Sequence, residues 1–293
     1  MIDETVFKEF ENFTFHRNFD FSKASTIGSG GIAKVAFEPQ TLSELSCLVE
    51  KLRSSGIKYY VLGNLSNVLP PDGVLGRVIV KTTRFQDVDL SSSLFVSAGT
   101  TSGALLRVCR LLKKSGAEFL TGIPCTLGGA LYMNAGVNGK YVAEIVESVI
   151  VLREGKKVEL PLSECEYAYK SSVFMKNDDV ILGAKLRLVD SSTEKIEEEI
   201  RFYARRRLHL PKGKSMGCVF KNPPNHTAGA LIEGAGMKGL RFGGAVVSTE
   251  HANFILNDSG ATSAQIKTLI QTLKNAVYAQ YKIELKEEIK YLE

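Results

Sequence analysis

"TGIPCTLGGALYMNAG", residues 121–136, holds four glycines, one proline and no charged residue. Glycines at this density let a backbone approach a flat or phosphorylated ligand closely, because no side chain stands in the way. A tight helix–sheet contact would use Gly128 and Gly129 equally well. Taken alone, the segment leaves both readings open. A second glycine segment lies upstream. In "VLGNLSN" (61–67) a short apolar run ends at Gly63 and continues into Asn64, Leu65, Ser66 and Asn67. Backbone N–H groups and short polar side chains in such a turn form an anion cradle. A plain turn at a strand end has the same composition. Neither segment is a GxGxxG or P-loop fingerprint.

Around these segments the pattern alternates strands and helices. "KVAFEP" (34–39) reads as a strand, and "TLSELSCLVEKLRSSG" (41–56) as an amphipathic helix. Thr41 and Glu44 are its expected capping box and Gly56 its stop. "YYVLG", "RVIVK" and "LFVSAG" read as strands, and "ALLRVCRLLKKSG" as a helix. "VIVLRE" and "KKVELP" make a hairpin turning at Gly155. "VILGAKLRLV" (180–189) precedes a charged helix over about 193–208. "LPKGKSMG" (210–217) marks a boundary. Beyond it come a helix near 227–235, the strand "HANFILN", a long helix capped by Thr262 and Gln265, and a C-terminal strand. The fold class is α+β, with expected divisions at 1–83, 84–203 and 204–293.

Composition narrows the function. The chain has 293 residues, 44% hydrophobic and 24% charged, with a formal charge of +5. These are ordinary values for a globular protein with ample core. No apolar run approaches the ~18 residues of a membrane helix. "MIDETVFKEFENF" is too acidic for a signal peptide, so a cytoplasmic protein is expected. The positive charge suits nucleotides and other small anions. No basic helix interleaved with aromatics supports a nucleic-acid partner. The five cysteines (47, 109, 125, 165 and 218) are dispersed, with no CxxC and no Cys/His spacing. Neither zinc, nor any other metal, nor a disulfide framework is expected.

Four of those cysteines read as inert core residues. Cys218 is different. It stands in "SMGCVFKNPP" (215–224), after a glycine and ahead of a polar Lys-Asn turn. A packing cysteine needs no such neighbours. A reacting thiol is served by them: with a reference pKa of about 8.5, it is mostly protonated at neutral pH yet far more acidic than an alcohol. Arg205, Arg206 and His209 lie in the basic run "ARRRLHLPKGK" (204–214), which suits phosphates or simply ends a charged helix.

"STIGSGGIA", "VLGNLSN", "AGTTSGALLRVCRLLKKSGAEFLTGIPCTLGGALYMNAG", "YAYKSSVF", "MGCVFKNP", "AGALIEGAGMKGLRFGGAVVSTEHANFILN" and "IELKEEIKYLE" follow one another along the chain. Their order and content resemble the UDP-N-acetylenolpyruvoylglucosamine reductase family, in its shorter form. The resemblance runs from about residue 20 to 292. It implies a two-lobed FAD-binding domain of the p-cresol methylhydroxylase type and a smaller α/β substrate-binding domain. It also implies non-covalent FAD, NADPH as hydride donor, and a UDP-sugar whose enolpyruvyl group is reduced in peptidoglycan precursor synthesis. FAD contacts then fall on Gly63, Asn64, Leu65, Ser66, Asn67, Gly122, Ile123, Pro124, Thr126, Gly128, Gly129, Asn134 and Arg206. The proton donor falls on Cys218, where relatives more often have serine, assisted by Glu288 and Lys170. Asn222 and His209 fall at substrate-binding positions, and a monomer is expected.

Besides Cys218, the chain departs from the family pattern at four further places: lysine for arginine at Lys170 and Lys290, leucine for glycine at Leu65, and Gly28 where a basic residue is common. Lysine keeps a charge but lacks the planar fork that grips a carboxylate at two points. These departures bear on turnover. They leave two further readings: an FAD-dependent oxidase of the same fold acting on another substrate, and a flavin-binding protein with weak catalysis.

Overall fold

The computed structural model describes residues 10–91 and 93–293. The first nine residues of the acidic N-terminal stretch lie outside the described residues. The chain divides into two compact units that are discontinuous in sequence, whereas the sequence reading used contiguous ranges. Among the described residues, the first comprises 10–16, Ala36–Asn64 and Val78–Leu208; the second comprises Arg17–Val35, Leu65–Arg77 and His209–Glu293.

In the first unit, Tyr59–Leu62 and Val78–Lys81 pair in parallel, and Ala36 and Phe37 pair in parallel with Ile79 and Val80. Parallel neighbours need a crossover, and the helix Leu42–Ser54 lies on one. Its buried residues Leu45, Leu48, Val49 and Leu52 recur at helical spacing and form one stripe. Thr41 accepts the Glu44 N–H as expected. The return half of the expected box differs: the Glu44 carboxylate takes the N–H of Gln40, because the chain before the cap turns its preceding amide toward it. Gly56 follows in left-handed conformation.

A five-stranded antiparallel sheet makes the rest of this unit, in the order Lys156–Pro161, Val146–Arg153, Val180–Leu186, Leu94–Ser97, Val88–Asp89. The turn of its hairpin is Glu154–Gly155, both at positive φ, as a two-residue turn matching the strand twist requires. The helices Ser102–Leu112, Leu127–Met133 and Thr193–Arg206 pack with this sheet around Val96, Leu105, Leu131, Val149 and Ile196. Cys109 and Cys165 are core residues as expected. Burial raises the Cys109 thiol to about 12, as it does Cys125, and Cys165 to about 11. Cys47 corrects the expectation. It lies on the outer face of the Leu42–Ser54 helix and is exposed.

In the second unit, Ser215–Cys218, Phe254–Asn257, Ala245–Val247 and Arg241–Phe242 form an antiparallel sheet in that order. The helices Ala228–Gly234 and Ser263–Tyr281 share its core with Met216, Phe220, Ile255 and Ile289. Both halves of the Thr262–Gln265 capping box form. The N-terminal pieces are built into this unit. The Asp72 carboxylate accepts the N–H groups of Ser263 (2.6 Å) and Ala264 (2.9 Å), placing negative charge where the helix dipole favours it. Lys290–Tyr291 pairs in parallel with Val68–Leu69.

Candidate active site

In the first unit the two glycine segments meet. A Cβ on Gly63 would lie 2.1 Å from Thr126 Oγ1, so only glycine permits this approach. Asn64 Nδ2 donates to the Pro124 carbonyl at 3.0 Å, sixty residues away in sequence. Thr126 caps the short helix Leu127–Met133 by accepting the Gly129 N–H. The N–H groups of Leu127 and Gly128 donate to Thr100 and Ala98 at 2.8 Å, and a Cβ on Gly128 would lie 2.9 Å from that of Ala98. Gly128 therefore serves packing. Gly129 faces outward, with no atom closer to its Cβ position than 3.6 Å, and Gly122 and Pro124 are likewise exposed, with Ile123 half-buried between them. Dense packing behind and bare backbone in front is an arrangement that fits a dinucleotide.

Arg206 and Arg207 divide the basic run. The Arg206 guanidinium lies over the Phe202 ring, 5.3 Å from its centroid. Arg207 is the cation at the glycine loop: its Nε would lie 2.9 Å from a Cβ on Gly122, whose φ is +72°. Sequence reasoning missed Arg207. The available signal was the helix end, since the helix stops at Arg206 and the next side chain leaves its face.

Asn134 ends the Leu127–Met133 helix in left-handed conformation and is buried. Its Nδ2 donates to Ala168 O at 2.9 Å, and its Oδ1 accepts the Ala143 N–H. Ser172 Oγ donates to Tyr132 O at 2.6 Å. These bonds moor the turn Ala168–Ser171, closed by two backbone hydrogen bonds of 3.1 Å, to the glycine helix. Lys170 sits in that turn at φ +51°. Burial raises the Tyr132 phenol above the ordinary tyrosine range.

In the second unit Cys218 ends the strand Ser215–Cys218 and is half-buried. Gly217 before it has φ +75°, a turn that other residues adopt only with strain. The backbone after it is locked. Asn253 O accepts the Val219 N–H at 2.8 Å, and the Asn253 side chain both accepts from Phe220 N (2.9 Å) and donates to Phe220 O (2.8 Å). On the other side Glu288 N–H donates to Val219 O at 2.8 Å, setting the candidate acid and the candidate carboxylate on adjoining backbone. Asn67 joins them, donating to Glu288 O (3.3 Å) and accepting the Lys290 N–H (2.9 Å). Burial lowers the Lys290 ammonium, the Lys221 charge lowers it further, and Glu288 opposes both.

The remaining candidates are placed as follows. Asn222 is exposed, and its Oδ1 accepts the Ala228 N–H at 3.0 Å at the start of the Ala228–Gly234 helix. His209 is exposed and Ser66 half-buried. Leu65 has φ +49° and is 3% exposed, a left-handed backbone with an anchored side chain. Among the described residues no group of three or more His, Cys, Asp or Glu could hold a metal ion, and no helix is long and apolar enough to cross a membrane.

Residues 33–160 match the model of the FAD binding domain family, and residues 209–292 match that of the UDP-N-acetylenolpyruvoylglucosamine reductase C-terminal domain. The UDP-N-acetylenolpyruvoylglucosamine reductase of Clostridioides difficile is 36% identical over 271 residues, covering 90% of this chain and 88% of that one. That of Moorella thermoacetica is 36% identical over 276 residues, covering 93% and 91%. The crystal structure of the Thermus caldophilus UDP-N-acetylenolpyruvylglucosamine reductase superposes with a TM-score of 0.83 at 32% identity, covering 96% of this chain and all of that one.

Proposed function

Because this chain belongs to the UDP-N-acetylenolpyruvoylglucosamine reductase family, we propose that its glycine segments hold FAD and that Cys218 is the acid of the reaction. The protein is an FAD-dependent oxidoreductase, a UDP-N-acetylmuramate dehydrogenase of peptidoglycan precursor synthesis. FAD held by these segments would supply hydride transfer, with NADPH as donor and the methylene carbon of the enolpyruvyl group as acceptor.

The chain's own residues supply the rest. Gly63, Asn64, Gly122 and Gly129 present backbone and one amide to the dinucleotide, with Ile123, Pro124, Thr126, Gly128 and Asn134 forming or supporting the cradle and Arg207 as its cation. Leu65, Ser66, Asn67 and Arg206 stand at FAD-contact positions by resemblance to the family. Lys170 and Glu288 act at the substrate carboxylate and the developing enolate. Cys218 gives its proton to the carbon beside the one that receives the hydride, so the double bond becomes a lactyl ether and the thiolate regains a proton from solvent. Asn222 and His209 contact the nucleotide sugar. In the same reading the protein is a cytoplasmic monomer without a nucleic-acid partner.

The observation that carries this reading is the junction of Gly63 with Thr126 and of Asn64 with Pro124, which turns two separate glycine segments into one surface. The purified protein is expected to be yellow and to release one FAD per chain on acid precipitation. Beyond the single equivalent that reduces the flavin, sustained NADPH oxidation is expected only when the enolpyruvyl UDP-sugar is present. Flavin retained in the precipitate, or NADPH turnover indifferent to the UDP-sugar, overturns the assignment.

A further inference from the structure

In the second unit a lysine occupies the space of a missing side chain. Gly28 has φ +62°, and a Cβ built there would lie 2.5 Å from Lys214 Cδ, 3.1 Å from Cε and 3.2 Å from Nζ. Any side chain at position 28 would displace the lysine. One buried residue fixes both partners. Asn257 donates its N–H to Lys214 O at 2.9 Å, and its Nδ2 donates to the carbonyls of Ile27 (3.0 Å) and Gly28 (2.8 Å). Thr26 Oγ1 adds a bond to Ser215 O at 2.7 Å. The carbonyls at the turn are thus already engaged. The Lys214 ammonium, exposed above them, makes no hydrogen bond or ion pair among the described residues.

We propose that Lys214 is a specificity-determining residue that holds a phosphate of a nucleotide ligand, and that position 28 is glycine to leave it room. An ammonium on a flexible stem is a point-charge binder of phosphate, and a stem laid along a fixed turn loses less freedom on binding. Lys214 directly precedes the strand Ser215–Cys218, so Cys218 lies four residues further along the chain. At ~3.3 Å per residue the two are at most roughly 13 Å apart along the backbone. A nucleotide sugar spans such a distance, with its diphosphate at one end and its reacting carbon at the other. This placement rests on the functional reading above, but the phosphate of a dinucleotide cofactor has the same chemistry.

The test separates the sources. UDP and uridine are titrated into the oxidised holoenzyme and followed by the flavin absorbance change. FAD affinity is measured by reconstitution of the apoprotein, and the KM for NADPH by steady-state kinetics. Lys214→Ala is expected to weaken UDP about ten- to a hundredfold, the range of a lost charge-assisted bond, and to leave uridine unchanged. Lys214→Arg is expected to retain binding. Gly28→Ala should reproduce the Lys214→Ala loss, and the double variant should be no worse than either single one. A loss confined to FAD or NADPH instead would keep the phosphate role and assign it to that cofactor. A wild-type enzyme that ignores UDP defeats the functional reading, and the FAD and NADPH arms then decide the lysine. Lys214→Ala binding all three ligands like wild type, or additive losses in the double variant, overturns the proposal.

Discussion

The glycine surface of the first unit and the Cys218 strand of the second prepare for chemistry in opposite ways. Around Gly63, Gly122 and Gly129 the site is made by what is missing: side chains are absent in front, and Thr126, Ala98 and Thr100 pack or hydrogen-bond tightly behind. Around Cys218 it is made by what is present. A thiol, a carboxylate and two lysines, Lys221 and Lys290, are carried on backbone that Asn253 and Asn67 clamp. Substitutions in the first region should therefore fail by volume, and those in the second by chemistry.

The largest expected effect tests the first half. Gly63→Ala forces a methyl group to within 2.1 Å of a hydroxyl that is itself fully packed. Overpacking costs about 1–3 kcal/mol, and loss of the Thr126 cap about 1 kcal/mol more. The variant should be purified with little or no FAD and a lowered Tm. Gly129→Ala is the control, because its methyl group meets only an ordinary contact and alanine is the better helix former by ~1 kcal/mol. If Gly129→Ala is as stable as wild type yet loses FAD, Gly129 faces the cofactor directly. If Gly63→Ala keeps its FAD, the contrast between the regions fails.

Cys218→Ala comes next and should fail in one half-reaction only. NADPH should bleach the flavin at the wild-type rate, while reoxidation by the enolpyruvyl substrate slows about 10²- to 10⁴-fold, the usual contribution of a general acid. Cys218→Ser should recover much of that rate and remove sensitivity to thiol alkylation. Stopped-flow absorbance separates the two halves. Wild-type reoxidation in Cys218→Ala returns the residue to a packing role.

Leu65 sets two stability effects against each other. Its left-handed backbone costs about 1–2 kcal/mol in a residue other than glycine, while removing a buried leucine side chain costs about 2–5 kcal/mol. Burial wins. Leu65→Gly should lower stability by up to about 4 kcal/mol in denaturant unfolding, although the glycine relieves the backbone. A more stable Leu65→Gly would mean that strain dominates. The smallest effect is expected at Lys170. Lys170→Arg should keep or modestly raise the rate of substrate reduction, since a fork grips a carboxylate better than a point charge. Lys170→Ala should slow that step and spare flavin bleaching. Equal losses in both half-reactions would make Lys170 a support of the Ala168–Ser171 turn.

The sequence by itself determined the local structure and the order of the motifs. Capping at Thr262 and Gln265, the Glu154–Gly155 turn, and the stripe from Leu45 to Leu52 depend on residues within a few positions of each other, so a short window carries their whole cause. The motif pattern also singled out Cys218 and the two glycine segments. Only the tertiary structure decided how they are used. It joined Asn64 to Pro124, set Arg207 rather than Arg206 at Gly122, placed Cys47 outside, and built residues 17–35 and 65–77 into the second unit. It also distinguished Gly128, which packs, from Gly129, which is bare, though the two are adjacent and chemically identical. The reason is physical. A glycine's role is set by the atoms that would meet its absent side chain, and at Gly28, Gly63, Gly122 and Gly128 those atoms come from residues 30 to 186 positions away along the chain.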